Sequence, residues 1–135
     1  MRVFLDTNVI VSAVATRGLC ADVFRLILAE HELVVGEVVL DEVRKVLQGR
    51  FKLPPERVAE VEDLLRDYEV VAKPKAADPV MVRDAADRWV LASARAAGVD
   101  AWVTGDADLL DVADEVPFRV FTPRDFWNEA RRGVR

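Results

Sequence analysis

Two rhythms of hydrophobic positions alternate along the chain: short apolar runs with a polar stop, and longer stretches whose apolar residues recur three or four apart. The opening stretch, Met1-Arg2-Val3-Phe4-Leu5-Asp6-Thr7-Asn8, is of the first kind. A run this short with an abrupt polar end predicts a buried strand of a parallel sheet. Residues 9–15 stay apolar until Arg17-Gly18 breaks them. Val23, Phe24, Ile27 and Leu28 then predict a helix over 20–30, and 33–35 a second strand stopped by Gly36. A second helix is expected over 37–48, with Gly49 as its terminator. Leu53-Pro54-Pro55 opens a third, reaching about Tyr68, with Val58, Val61, Leu64, Leu65 and Tyr68 on one face.

Residues 69–72 predict a third strand and 73–79, with two prolines, a connecting loop. A fourth helix over 84–97 closes at Gly98; 101–104 is the fourth strand, 106–112 a short helix, 118–121 the fifth strand and 125–132 a terminal helix. Strands alternating with helices imply a parallel sheet covered on both faces. With no repeat or linker, 135 residues and 52% hydrophobic content suit a single domain over 1–135.

Composition narrows the chemistry. No apolar run approaches the ~20 residues that cross a bilayer, so a soluble, cytoplasmic protein without a membrane partner is expected. One cysteine, Cys20, leaves no internal disulfide, and one histidine, His31, argues against zinc. A net charge of −5 votes weakly against broad phosphate-backbone binding. A cluster of carboxylates around a divalent cation would also make a chain acidic, and the bound ion would still attract a polyanion.

Four carboxylates stand where such a cluster needs them. Asp6 ends the first strand, where ligand sites of open α/β sheets lie, although an Asx-turn or helix cap accounts for it equally well. In the second helix Glu42 flanks the apolar face, while Asp41 projects to the opposite side. In the fourth, Asp87 shares a face with Val90, Leu91 and Ala94. Asp84 has a simpler role as N-cap, with Arg88 as its i+4 ion-pair partner. Thr104-Gly105-Asp106 follows the fourth strand, which neighbours the first if the sheet closes as expected. Four such carboxylates without matching lysines repel unless a cation neutralises them. All-oxygen ligation suits Mg²⁺ or Mn²⁺ with water completing the shell, the equipment for hydrolysing a phosphodiester.

In Leu5-Asp6-Thr7-Asn8-Val9, Val39-Leu40-Asp41-Glu42-Val43, Asp84-Ala85-Ala86-Asp87-Arg88-Trp89-Val90-Leu91-Ala92 and Val103-Thr104-Gly105-Asp106-Ala107-Asp108-Leu109-Leu110, the sequence resembles the PIN-domain ribonucleases, especially the group related to VapC toxins. The resemblance implies a PIN-like, Rossmann-like α/β/α fold with about five mostly parallel strands. It implies catalysis by Asp6, Glu42, Asp87 and Asp106 around Mg²⁺ or Mn²⁺, with Asp108 a fifth metal ligand and Thr7, Asn8 and Thr104 supporting the carboxylates. It further implies cleavage of RNA, homodimerisation and a small antitoxin partner. Many relatives have proline where this chain has Ala85, which loosens that loop and leaves the metal site as it is.

Arg17, Arg44, Lys45, Arg50 and Lys52 are the cations placed for RNA-backbone contact, unless they form a solvated face. Trp89, Trp102 and Trp127 sit in apolar segments and are expected in the core. An aspartyl-phosphate phosphatase would want a second Asp at position 8, which is Asn, and a receiver domain a late lysine, whereas none follows Lys75. The remaining alternative is a PIN-fold regulatory or RNA-binding module with little or no nuclease activity.

Overall fold

The computed structural model describes residues 1–132, and in it the first apolar run becomes strand β1 (Arg2–Leu5), with Val3, Phe4 and Leu5 buried. Four more strands join it: β2 (Glu32–Gly36), β3 (Glu69–Val71), β4 (Ala101–Val103) and β5 (Arg119–Phe121). The order is β3-β2-β1-β4-β5 and every pairing is parallel. Successive side chains point to opposite faces, so a central strand covered on both sides must be apolar at every position. That is why these strands read as unbroken runs.

The chain winds outward from β1 through β2 to β3, then returns to lay β4 and β5 on the other side. The connections leaving β1 and β4 therefore diverge, and a crevice opens beyond their carboxyl ends. Phe4 is aligned with Trp102 of β4 and Leu5 with Val103, so Asp6 and Thr104 stand side by side on its floor.

Helices cover both faces: α1 (Thr7–Ala15), α2 (Leu19–Glu30), α3 (Glu37–Gly49), α4 (Pro55–Arg66), α5 (Ala85–Ala97), the single turn α6 (Ala107–Leu110) and α7 (Pro123–Arg132). The sequence reading assigned no element to residues 9–15. They form α1, which packs against both α2 and α3 and buries Val9, Ile10 and Val11 in succession. A helix buried on several sides carries no amphipathic stripe, so periodicity cannot report it. The third expected helix ends at Arg66 rather than near Tyr68, and Leu64, expected on its apolar face, is 40% exposed. The short helix expected over 106–112 divides into α6 and a 3₁₀ turn, Ala113–Glu115. Gly98 ends α5 at φ 62°, a left-handed conformation that favours glycine at the residue after a helix.

The loop before α5 is tied down from within. Asp78, its side chain 1% exposed, accepts from Arg95 Nε at 2.7 Å and from the Val80 N–H at 3.0 Å. Its own carbonyl accepts from Arg88 Nε at 2.8 Å. Burial pushes the Asp78 carboxyl up, but Arg95 and the Val80 N–H outweigh it and hold it below the usual range. Arg88 thus serves Asp78 and not Asp84, correcting the expected Asp84–Arg88 ion pair. Arg95→Ala leaves that carboxylate buried without its partner and is expected to cost about 3 kcal/mol in chemical denaturation.

Candidate active site

Four loops or helix starts deliver carboxylates to the crevice. Asp6 follows β1 directly, and its backbone N–H stays in the sheet by donating to the Val103 carbonyl at 3.0 Å. It is also the N-cap of α1: Oδ1 accepts from the Thr7 N–H at 3.0 Å, while Oδ2 accepts from Thr104 Oγ1 at 2.8 Å. Cap and crevice position coincide at one residue. Asp106 repeats the arrangement one loop later as N-cap of α6, accepting from the Asp108 N–H at 2.9 Å. Thr104 links the two, since its hydroxyl also accepts from the Asp106 N–H.

Glu42, on the second turn of α3, reaches in from the flank and accepts from Thr7 Oγ1. Asp87, in the first turn of α5, completes the set. Asp6, Glu42, Asp87 and Asp106 line one open cavity of about 300 Å³ together with Thr7 and Asn8. Asp84 and Lys45 share its rim. Asp84 is also the expected N-cap of α5, accepting from the Ala86 N–H. Its spacing of three from Asp87 was the available signal, since i,i+3 residues share a helix face.

Other expected site residues lie elsewhere. Asp108 does not line the cavity; its carboxylate faces Arg83, 3.8 Å away. Arg44 is held by Glu62 and Asp41, and Arg66 extends this network to Glu37, locking α3 against α4. Asp41 was expected on the far side of α3 from Glu42, yet both border a second groove beside the cavity. Arg17, Arg50 and Lys52 are exposed outside the cavity, Arg50 over the Phe51 ring. Of the three tryptophans only Trp102 enters the core, edge-on to Phe4 and Phe118; Trp89 and Trp127 are half-buried.

The electrostatics follow from crowding. Burial pushes the Asp6 carboxyl up to about 6, against its two hydrogen bonds and with further repulsion from Glu42 and Asp106. Burial, then Asp6, Asp106, Asp84 and Glu42, pushes Asp87 up to about 7. Among the described residues none of the four carboxylates is ion-paired. Nor does any group of three or more His, Cys, Asp or Glu side chains among those residues stand arranged to hold a metal ion. The side chains lining the cavity are mostly carboxylates with Thr7 and Asn8 beside them, and oxygen-rich chemistry of this kind fits a hard divalent cation that keeps several waters. Asp6, Glu42, Asp87 and Asp106 are the residues that would hold it.

A match to the PIN domain runs over residues 2–108 and takes in all four carboxylates. The chain belongs to the PIN-domain family. Solved structures resembling this PIN domain include VapBC2 from Rickettsia felis bound to a DNA fragment from its promoter, at 15% identity and a TM-score of 0.61, covering 90% of this chain and 98% of that one. FitAcB from Neisseria gonorrhoeae is similar at 17% and 0.60, again over 90% and 98%. VapC20 from Mycobacterium tuberculosis, a sarcin-ricin loop cleaving toxin, aligns at 16% and 0.58 over 82% and 94%. At such identities these likenesses concern the fold. A search of curated protein sequences matches none.

Proposed function

We propose that this PIN domain is a divalent-metal-dependent endoribonuclease and the toxin of a toxin–antitoxin pair. The observation that carries the reading is the meeting of Asp6, Glu42, Asp87 and Asp106 at one open cavity, with no ion pair to neutralise them among the described residues. Bound Mg²⁺ or Mn²⁺ would supply a more acidic water and offset the charge of the scissile phosphate. The chain's own part is positional. Thr104 fixes the Asp6 carboxylate from one side and Thr7, at the start of α1, orients Glu42 from the other. Asn8 offers an exposed amide at the mouth, and Lys45 a positive charge toward which an incoming phosphate is drawn.

Likeness to a sarcin-ricin loop cleaving toxin supports RNA as the substrate class, and likeness to VapBC2 and FitAcB supports an antitoxin partner. Homodimerisation and a cytoplasmic site of action belong to the same reading; no described helix is long and apolar enough to cross a membrane. The exposed cations Arg17, Arg50 and Lys52 remain the candidates for more distant backbone contacts, whereas Arg44 is already engaged.

The test is cleavage of a mixed set of structured and unstructured RNAs in Mg²⁺, in Mn²⁺ and in EDTA. Cleavage with either metal and none in EDTA is expected. Glu42→Gln is expected to lower kcat about 100-fold. Asp41→Asn, whose carboxylate faces Arg44, should change it less than about tenfold, since a surface ion pair contributes little. Equal loss from both variants would contradict the assignment of Glu42.

A further inference from the structure

Beside the acidic cavity runs a second groove of about 200 Å³, bordered by Val38, Asp41, Glu42, Lys45, Lys73, Ala86 and Trp89. Glu42 and Lys45 border both, so the two are continuous. Val90, Leu91 and Ala94 of α5 are buried, yet the preceding Trp89 is half-buried and turns part of its indole to the groove. Lys73 Nζ lies over the face of that ring, 5.7 Å from its centre. Lys45 and Lys73 are two of the chain's four lysines, and among the described residues neither is ion-paired. Of the two groove carboxylates, Asp41 is engaged by Arg44 and Glu42 by Thr7. An aromatic ring with one lysine over its face and a second beside the groove, opening onto the proposed cleavage centre, has the chemistry of a single-strand nucleotide subsite.

We propose that Trp89 is the stacking platform for the base next to the phosphate held at the acidic cavity, with Lys73 and Lys45 lying along that nucleotide's phosphates. This rests on the ribonuclease reading and gives it a physical origin for one contact: a base stacks on Trp89 only where the strand is unpaired, because a base within a duplex cannot present its face. Stacking tolerates any base, so the groove selects for single-strandedness before sequence.

The experiment is binding of a dye-labelled ten-nucleotide single-stranded RNA in Mg²⁺, read by anisotropy and by tryptophan quenching, together with cleavage in Mg²⁺ and Mn²⁺. The proteins are the full chain and Trp89→Ala, Trp89→Phe and Lys73→Ala. Trp89→Ala is expected to weaken binding about 5- to 150-fold and abolish most of the quenching, while Trp89→Phe keeps affinity within a few-fold. A base removed at the stacked position should weaken binding to the unmodified chain and leave Trp89→Ala unaffected. Lys73→Ala, at an exposed side chain with no fold to lose, should flatten the salt dependence by about one phosphate contact. Unchanged RNA affinity in Trp89→Ala and Lys73→Ala would overturn the proposal, as would failure of the unmodified chain to bind RNA. Binding with Trp89-dependent quenching but no cleavage in either metal would uphold the stacking site and overturn the nuclease reading alone.

Discussion

Asp6→Asn is expected to lose cleavage by about 1,000-fold while making the metal-free protein more stable at pH 7.5. The substitution keeps the shape of the side chain: an amide oxygen can still accept from the Thr7 N–H that it caps, and the amide nitrogen can donate to Thr104 Oγ1. It removes a charge that is 6% exposed and lies near Glu42 and Asp106. Thermal unfolding in EDTA should therefore rise by about 2–5 °C at pH 7.5, as expected for relief of roughly 1 kcal/mol in a chain of this length. The gain should shrink below pH 6 and vanish only below about pH 4, where Asp6, pushed up to about 6 in the fold, is protonated in the folded and the unfolded chain alike. Lost activity with gained stability separates a cation site from a structural carboxylate, for which both would fall.

The second large effect is on pH. Asp6 and Asp87 are held at about 6 and about 7, well above the value near 4 of a carboxyl in the unfolded chain. Between those limits the folded protein binds more protons than the unfolded one, so the metal-free protein loses stability as pH rises from about 4 to about 7. A bound cation reverses the preference by requiring both carboxylates charged. Mn²⁺ affinity should accordingly fall about tenfold from pH 7.5 to pH 6, and approach 100-fold per unit below that as two protons compete with each ion. Calorimetry in buffers of different ionisation enthalpy checks this through proton release, which should grow as pH falls from 7.5 to 6.

That the first and fourth strands are buried and end at polar residues could be anticipated, because a central strand must be apolar throughout and a polar stop marks its end, as at Leu5-Asp6 and Val103-Thr104. Helix facing brought Glu42 and Asp87 to the same crevice for a similar reason: their neighbours Val43, Val90 and Leu91 are buried, so the carboxylates lie beside the core. What stayed hidden depends on non-local partners. Nothing near Arg88 or Arg95 in sequence says that both serve Asp78, ten and seventeen residues earlier, in a loop the sequence marks only by its prolines. Arg44 looked available for RNA because Glu62, which holds it, belongs to another helix. Trp89 read as core because an apolar context does not show which side of a helix remains uncovered. Asp6 offered a cap or a site as alternatives, yet a carboxylate has two oxygens, and one caps α1 while the other meets Thr104.

The proposed divalent-cation site is made by Asp6, Glu42, Asp87 and Asp106 together. It is tested most directly by titrating Mn²⁺ into the purified protein at pH 7.5, beside Asp6→Asn, and following binding by calorimetry. Saturable binding to the parent protein, weakened at least about 100-fold in Asp6→Asn, is the predicted result. Absence of Mn²⁺ binding by the parent protein, or equal binding by both, would contradict it.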